Sequence, residues 1–341
     1  MKNRYAICLG IFILIVILFF CNIFFGTVSI PASAVMDILF GDEVEKNSWI
    51  SIVTKIRIPQ ALTALLAGAA LAVSGLMLQT LFKNPLAGPS ILGISSGANL
   101  GVAIVMLAMG GNFGASFPIT SNLSIVLGAF VGATIVLALI IYISGFIKSN
   151  VLILIIGMMI GYLASSGISI LNSFAAKESV HSYVMWGLGS FSNVNQSQMP
   201  FFVVTILLGL FFSILLIKPL NALLLGERYA ANLGLNITRA RTLILLCTGL
   251  LTAMVTAFCG PVGFIGLAVP HIARIALGTS NQRLLVPATL LSGAVVALIC
   301  NQLTIIPIGN TLLPLNAVTP LLGAPIIIYV ILNKKNARYF N

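Results

Sequence analysis

The sequence predicts an all-α integral membrane protein, and two features of its composition carry that prediction. Apolar residues make up 59% of the 341 residues and charged residues 7%, against roughly 45–50% and about 25% in soluble domains. A soluble domain covers its surface with polar groups, whereas a bilayer requires an apolar exterior and backbone hydrogen bonds satisfied within helices. We therefore expect residues 1–341 to form a single transmembrane domain in the lipid bilayer.

Ten apolar segments are suitable as helical spans, each of which needs about 20 predominantly apolar residues. The first follows a basic start and lacks a small-residue cleavage site, so we expect a retained span rather than a signal peptide. Small residues recur at short spacing in later segments, as is typical of closely packed membrane helices. The segments run at about 6–25, 60–82, 91–109, 123–146, 151–171, 200–217, 242–259, 262–278, 285–303 and 316–332.

The charges between the spans predict the orientation. If the N-terminus is cytoplasmic, 13 of the 17 basic residues fall on inside segments, and five of the six acidic residues fall outside, with Glu227 as the exception. The positive-inside rule then places both termini in the cytoplasm. The net charge of +11 is thus explained by topology, and we expect no nucleic-acid partner. The inside basic residues are Lys2, Arg4, Lys83, Lys148, Lys218, Arg228, Arg239, Arg241, Arg274, Arg283, Lys334, Lys335 and Arg338, and the outside ones are Lys46, Lys55, Arg57 and Lys177.

Several classes of function are disfavoured by what the sequence lacks. No acidic or basic residue lies at the middle of a predicted span, which argues against an ion-coupled carrier or channel. A membrane enzyme would need His, Asp or Glu clustered near a membrane face, and no such cluster occurs. The five cysteines lie in or beside apolar runs without CxxC spacing, so we expect core residues and no metal site. The nucleotide-binding pattern GxxxxGK[ST] is also absent.

Three segments interrupt the apolar pattern. KNPLAGPSILGISSGA (83–98) and CGPVGFIGLAVPHIAR (259–274) mix Pro and Gly with apolar residues, which predicts turns between helices at membrane depth. KPLNALLLGERYAANLGLNITRAR (218–241) is the longest polar inside segment. A membrane protein without its own motor would need such a segment to contact one.

These segments resemble the iron-siderophore, haem and cobalamin permease family of ABC importers. RIPQALTALLAGAALAVSGLMLQTLFKNPLAGPSILGISSGA, which starts at Arg57, is similar to the family's Arg-x-Pro-Arg opening, its Gln-x-x-x-x-Asn-Pro-Leu-Ala turn and its Leu-Gly-x-x-x-Gly-Ala helix start. GPVGFIGLAVPHIAR (260–274) looks like the family's most distinctive block, and TPLLGAPIIIYVIL (319–332) like its final helix. The resemblance runs from about 50 to 335.

The resemblance implies a cobalamin-importer-like permease fold, with ten helices in each of two subunits around a central path. Two cytoplasmic ATPase subunits would carry ATP and Mg, and an extracellular binding protein would deliver the cargo. It further implies a bacterial cytoplasmic membrane and no cofactor on this chain. Among cargoes it favours a ferric siderophore, with haem or cobalamin as the alternative, and the binding protein would do most of the selection.

The resemblance also assigns residues 218–241 to the loop that couples the permease to the ATPase. We expect two short helices broken at Gly234, with Leu225, Tyr229 and Leu233 on one face because they are four residues apart. This face would enter an ATPase cleft and transmit closure as a rigid-body movement; an ordinary amphipathic loop is the alternative. The predicted coupling residues are Gly226, Glu227, Arg228, Ala230, Leu233 and Gly234.

On the outer rim, the resemblance predicts that Lys55 and Arg57 pair with glutamates of the binding protein. Interfacial cations that extend toward the headgroups are the alternative. The chain departs from the family pattern at neighbouring positions, which predicts a thinner docking surface and therefore favours a related second permease subunit over a homodimer. The departing residues are Gln60, Asn301, Ile305, Leu312 and Asn316.

Two further sets of residues are predicted to act within the membrane. His271 is expected to make an internal hydrogen bond rather than to bind metal or haem. Small polar residues of the middle helices are expected to line the path, with helix–helix contact as the alternative. The residues of the gating or structural turns are Asn84, Pro85, Gly260, Pro261, Gly263, Pro270 and His271, and those of the path are Ser95, Ser96, Ser165 and Ser166.

Overall fold

Helices make up nearly all of the described chain, as long apolar segments require in a bilayer. The computed structural model describes residues 2–42, 44–109, 122–147, 149–308 and 311–332. The α-helices are α1 (Lys2–Phe24), α2 (Ala32–Phe40), α3 (Asn47–Ile52), α4 (Ile58–Phe82), α5 (Ile94–Ala103), α6 (Asn122–Phe146), α7 (Asn150–Phe174), α8 (Lys177–Gly187), α9 (Met199–Leu215), α10 (Ile217–Leu224), α11 (Glu227–Asn232), α12 (Ile237–Cys259), α13 (Ile265–Leu277), α14 (Gln282–Ile305) and α15 (Leu315–Leu332). The shorter elements are the π-helical turns Val53–Arg57 and Ile104–Met109, the 3-10 turn Phe191–Asn193, and an antiparallel hairpin of β1 (Pro307–Ile308) and β2 (Thr311–Leu312).

Within the described ranges, six helices are long and apolar enough to cross a membrane, or seven if α9 and α10, which are bent by 48°, form one span. Three shorter apolar helices, Ile94–Ala108, Ile265–Leu277 and Leu315–Val330, coincide with three more of the predicted segments. The prediction of ten spans with both termini inside therefore stays a prediction. Some of the charges behind it lie outside the described residues, namely Glu43, Lys148, Lys334, Lys335 and Arg338.

Helix α4 lies at the centre of the bundle. Its most apolar stretch is 89% buried inside the chain, against 17% for α1 and 22% for α7. Glycines allow this burial, since a Cβ on Gly68 would overlap the carbonyl of Gly293 on α14, and one on Gly75 would overlap Gly266 on α13. Helices α13 and α14 thus pack backbone to backbone against α4, as small residues permit in membranes.

Both predicted turns at membrane depth are present as breaks between helices. After α4, Lys83 has a φ of 49° and Asn84 Oδ1 accepts a hydrogen bond from the Leu86 backbone N–H at 2.9 Å. After α12, Gly260 and Phe264 have φ values of 76° and 65°. Gly260 must be glycine, because a Cβ there would lie 2.7 Å from the Trp186 carbonyl oxygen. The gating role of these turns stays a prediction.

Candidate coupling and docking surfaces

The predicted coupling loop contains two short helices, α10 and α11. The predicted break position was wrong, because the helices separate at Leu225 and Gly226 rather than at Gly234. Gly226 has a φ of 111°, a conformation that residues with a side chain rarely adopt. Gly234, with a φ of 85°, instead follows α11, and its N–H donates to the Ala231 carbonyl at 2.9 Å.

The surface of this loop that faces away from the bundle carries exposed apolar side chains, which we call the coupling face. It consists of Leu225, Tyr229 and Leu233, which are 63%, 54% and 62% exposed. Arg228 beside them is also exposed, whereas Ala230 is fully buried against the bundle. Large apolar side chains grouped on a polar segment are typical of a surface that another protein covers.

The Glu227 carboxylate binds inside the chain, although it was predicted to belong to the coupling residues. Its Oε1 accepts from the Arg241 guanidinium at 3.0 Å and from the Asn150 side-chain amide at 3.2 Å. Arg241 is almost fully buried, and it also donates to the Ile147 carbonyl at 3.2 Å. Sequence reasoning missed Arg241 and Asn150. The signal in the sequence was that Glu227 is the one carboxylate on the segments predicted to lie inside, so a nearby cation was a natural partner for it.

His271 makes the internal hydrogen bond that the sequence predicted. Its ring lies on α13, is 2% exposed, and places Nε2 at 2.8 Å from the Pro85 carbonyl oxygen, so Nε2 is the donor. One turn later, Arg274 donates to Gln79 Oε1 at 2.7 Å, and Gln79 donates to the Leu267 carbonyl at 3.1 Å. No cluster of three potential metal ligands occurs among the residues that the structure describes.

On the outer side, Arg57 is not the exposed docking cation that was expected. It is 5% exposed and donates to the carbonyls of Ile23 and Phe24, both at 2.9 Å, and of Val28. The last carbonyls of a helix lack intrahelical partners and carry partial negative charge, so the end of α1 attracts this guanidinium. Lys55 is exposed, and its docking role stays a prediction.

Gln60 and Asn301, two of the departures from the family pattern, are hydrogen-bonded to each other. The Gln60 amide donates to Asn301 Oδ1 at 2.9 Å, and the Asn301 amide donates to Asn22 Oδ1 at 2.8 Å. The Asn22 amide in turn donates to the carbonyls of Leu18 and Leu298. We call Gln60, Asn301 and Asn22 the amide chain. It joins α1, α4 and α14. Gln60, which stands where the family pattern has an arginine, therefore makes an internal hydrogen bond.

A cavity of about 810 Å³ lies beside the amide chain and is lined by residues that include Arg57, Gln60, Trp186 and Asn301. Asn316, a further departure from the family pattern, directly follows Leu315, which lines this cavity. The Asn316 amide donates to the Gly187 carbonyl at 2.9 Å and to the Pro261 carbonyl, while its Oδ1 accepts from the backbone of the second turn. The end of α8, the second turn and the start of α15 are therefore held together.

The four serines predicted to line the path fall into two environments. Ser165 and Ser166 are exposed on α7, beside Tyr162, which is 67% exposed. Ser95 and Ser96 are half-buried at the start of α5, and the Ser96 hydroxyl lies 3.3 Å from where a Cβ on Gly161 of α7 would stand. Ser96 is thus at a contact between helices, and the path role of all four stays a prediction.

The fold and these surfaces define a multi-pass membrane protein that exposes an apolar contact face. Residues 14–333 match the FecCD transport family, and the chain belongs to that family. The chain is therefore a permease subunit of an ABC importer, not a catalytic enzyme, and this family implies separate ATPase subunits and a binding protein.

Known relatives and one solved structure agree with this membership. The vitamin B12 import system permease protein BtuC of Salmonella typhi and that of Salmonella newport (strain SL254) are each 33% identical over 301 residues, which is 86% of this chain and 89% of theirs. An inward-facing structure of a transporter assigned to the metal-chelate type of ABC transporter has a TM-score of 0.83 at 30% identity, and the match covers 96% of this chain and 98% of that one.

Proposed function

We propose that this chain carries a bulky metal chelate into a bacterial cell, driven by ATP hydrolysis on two cytoplasmic ATPase subunits. The coupling face is the observation that carries the proposal, because it exposes Leu225, Tyr229 and Leu233 on a loop that is otherwise held to the bundle by polar bonds. An unpartnered loop would lose nothing by replacing these side chains with polar ones. Burial of these side chains in a cleft of an ATPase subunit would explain why they are apolar.

Cobalamin is the first candidate cargo, since the relatives with 33% identity are named as vitamin B12 import permeases. A ferric siderophore, which the sequence favoured, is the second candidate, because the similar solved structure belongs to a transporter of metal chelates. The relatives' names do not support siderophore over cobalamin. The binding protein selects the cargo in our proposal, so both fit the same permease.

We place the path against the exposed face of α7, with a second permease subunit completing it. Tyr162, Ser165 and Ser166 put three polar groups on the exposed side of one membrane helix, which a water-filled path between subunits would hydrate and lipid would not. The second subunit is a related, different permease. Because Arg57 is buried, a homodimer would offer only the exposed cations Lys46 and Lys55 of this region, each twice, which is weak steering for an acidic binding protein.

The orientation is testable by labelling. With the half-buried Cys8 and Cys21 replaced by Ser, we expect Glu45→Cys to react with an impermeant thiol reagent from outside, and Arg228→Cys to react only after the membrane is opened. Labelling of Arg228→Cys in intact cells would refute both the inside position of the coupling face and its role.

The transport experiment uses proteoliposomes that contain the native complex of permease and ATPase subunits with the binding protein outside. We expect uptake of labelled cobalamin that requires ATP inside and persists when a protonophore collapses the proton gradient. Ferric siderophores are measured in the same vesicles as competing cargo. Uptake without ATP, or uptake that stops with the proton gradient, would support a secondary carrier. The mass of the intact complex distinguishes a homodimer, which contains two copies of this chain, from a heterodimer with a second kind of permease subunit.

A further inference from the structure

Two separate sets of contacts lead from the coupling loop to the same turn of α4. The first starts at α11, where Glu227 binds Arg241 and Asn150. Asn150 Oδ1 accepts from Arg241 at 3.2 Å, so each of these three side chains contacts the other two. The Asn150 amide also donates to the Leu81 carbonyl at 3.2 Å. Asn150 thus uses both its donors and its acceptor to join α11, α12 and α4.

The second set starts at α10. Asn221 Oδ1 accepts from the backbone N–H of Gln282, the first residue of α14, at 2.9 Å. The Gln282 side-chain amide donates to the Thr80 hydroxyl at 3.1 Å, and Gln282 is fully buried. Thr80 and Leu81 are adjacent. The two helices of the coupling loop are therefore tied, by independent routes, to consecutive residues of one helix.

The same turn of α4 also holds α13. Gln79 accepts from Arg274 at 2.7 Å and donates to the Leu267 carbonyl at 3.1 Å. Further along, the glycines of α4 bring its backbone against α13 and α14. A displacement delivered to residues 79–81 therefore cannot move α4 alone. It must carry α13 and α14 with it, because close-packed backbones do not slide without breaking their contacts.

We propose that Gln79–Leu81 is the point at which the coupling loop is fastened to the membrane-spanning bundle, and that Asn150 is the positioning residue that makes this fastening stiff. The proposal rests on the proposed function of the coupling face. Hydrogen bonds to charged groups are stronger than those between neutral groups, and Asn150 makes two of them while also binding α4. Without Asn150, α11 would lose its direct link to α4, and the hydrogen-bonded route through Asn221, Gln282 and Thr80 would be left to connect the loop to that helix.

The test compares uptake with ATP hydrolysis in the same proteoliposomes, using the cargo that the wild-type complex transports. We expect Asn150→Ala to lower the amount of cargo transported per ATP by about tenfold, the order expected when hydrogen bonds to charged groups are lost. The ATPase subunits should still co-purify, because the coupling face is unchanged. Arg241→Gln should show the same uncoupling. Arg283→Gln is the matched control, since Arg283 lies near the start of α14, outside the coupling loop, with an exposed side chain, and should keep the wild-type ratio.

An unchanged ratio of uptake to ATP hydrolysis in Asn150→Ala would overturn the proposal. If that variant is absent from the membrane, Asn150→Asp replaces it. This substitution keeps the size, removes both donors and sets a second carboxylate beside Glu227, so it should uncouple as strongly, and a normal ratio would again refute the positioning role.

Leu233→Asp separates this proposal from the proposed function. If Leu233→Asp keeps both bound ATPase and uptake, the coupling face itself is wrong. If Leu233→Asp loses the ATPase while both Asn150 variants transport normally, the coupling face stands and the fastening at α4 is wrong.

Discussion

The two ends of α4 are held by different chemistry. At the outer end, Gln60 belongs to a chain of neutral amides, and the neighbouring Arg57 binds backbone carbonyls of the adjacent helix. At the coupling-loop end, Leu81 is tied through Asn150 to a carboxylate–guanidinium pair that reaches into that loop.

This difference suggests different roles for the two ends: the contacts at one end hold helices together, and those at the other transmit movement of the coupling loop to the bundle. The outer contacts join helices that already lie side by side in the bundle, and each neutral bond contributes on the order of 1 kcal/mol. The contacts at the coupling-loop end join a surface loop to the core, to which the loop is otherwise held by a few buried apolar residues, among them Leu220, Leu223 and Ala230. A charged cluster is a suitable fastening there, because separating its members leaves a buried charge without its partner.

Substitutions at the coupling-loop end of α4 should have the largest effect on stability. We expect Glu227→Ala to lower the free energy of unfolding by about 2–3 kcal/mol, below the full effect for a buried pair because the Glu227 side chain is 35% exposed. Thermal unfolding in detergent can be followed with a thiol-reactive dye, since the buried Cys247, Cys259 and Cys300 become accessible on unfolding.

A double variant sharpens that result. Glu227→Gln with Arg241→Leu removes both charges, so the melting temperature should recover toward the wild-type value while transport per ATP stays low. If the single and double variants melt alike, the ion pair does not hold the loop.

Substitutions at the other end of α4, near Arg57, should have a smaller effect on stability. We expect Arg57→Met to lower the free energy of unfolding by about 1–2 kcal/mol, because three carbonyls near the end of α1 lose their donor. Lys55→Met is the control, since it removes an exposed cation two residues away. It should leave melting unchanged and weaken binding-protein docking in a salt-dependent way. Weaker docking without a change in melting for Arg57→Met would restore the predicted role of Arg57 as a docking residue.

Sequence reasoning recovered the class of fold and the exposure of the apolar residues in the loop 218–241, and the coupling role of that loop stays a prediction. Apolar runs predict membrane helices. Leu225, Tyr229 and Leu233 are all exposed, as expected, but the break at Gly226 means that the four-residue spacing does not place Leu225 on the helical face of the other two. His271 was also predicted correctly, since a lone His in an apolar helix needs one internal partner. The break at Gly226 was not predicted, because two glycines in one loop look alike until a backbone φ distinguishes them.

What the sequence could not supply were partners far apart along the chain. Arg57 looked like a rim cation because its acceptors are carbonyls about 30 residues earlier and backbone atoms leave no signal in the sequence. Asn150 looked like an ordinary helix start, although it contacts residues 69, 77 and 91 positions away. Each departure from the family pattern was judged by itself, whereas Gln60 and Asn301 are partners.

The amide chain gives the smallest expected effect and the most direct test of that partnership. Gln60→Leu and Asn301→Leu should each lower the free energy of unfolding by about 1 kcal/mol, because the first leaves the buried Asn301 Oδ1 without its donor and the second leaves the half-buried Gln60 amide without its acceptor. The double variant removes both polar groups, so it should be less destabilised than the sum of the two single variants. The expected coupling energy is about 0.5–1 kcal/mol. Asn301→Leu also frees Asn22, and Gln60→Leu does not, so the first variant should melt lower than the second. Additive effects in the cycle would show that Gln60 and Asn301 act independently, and the loss of the outer cation at Gln60 would then need a cause other than this hydrogen bond.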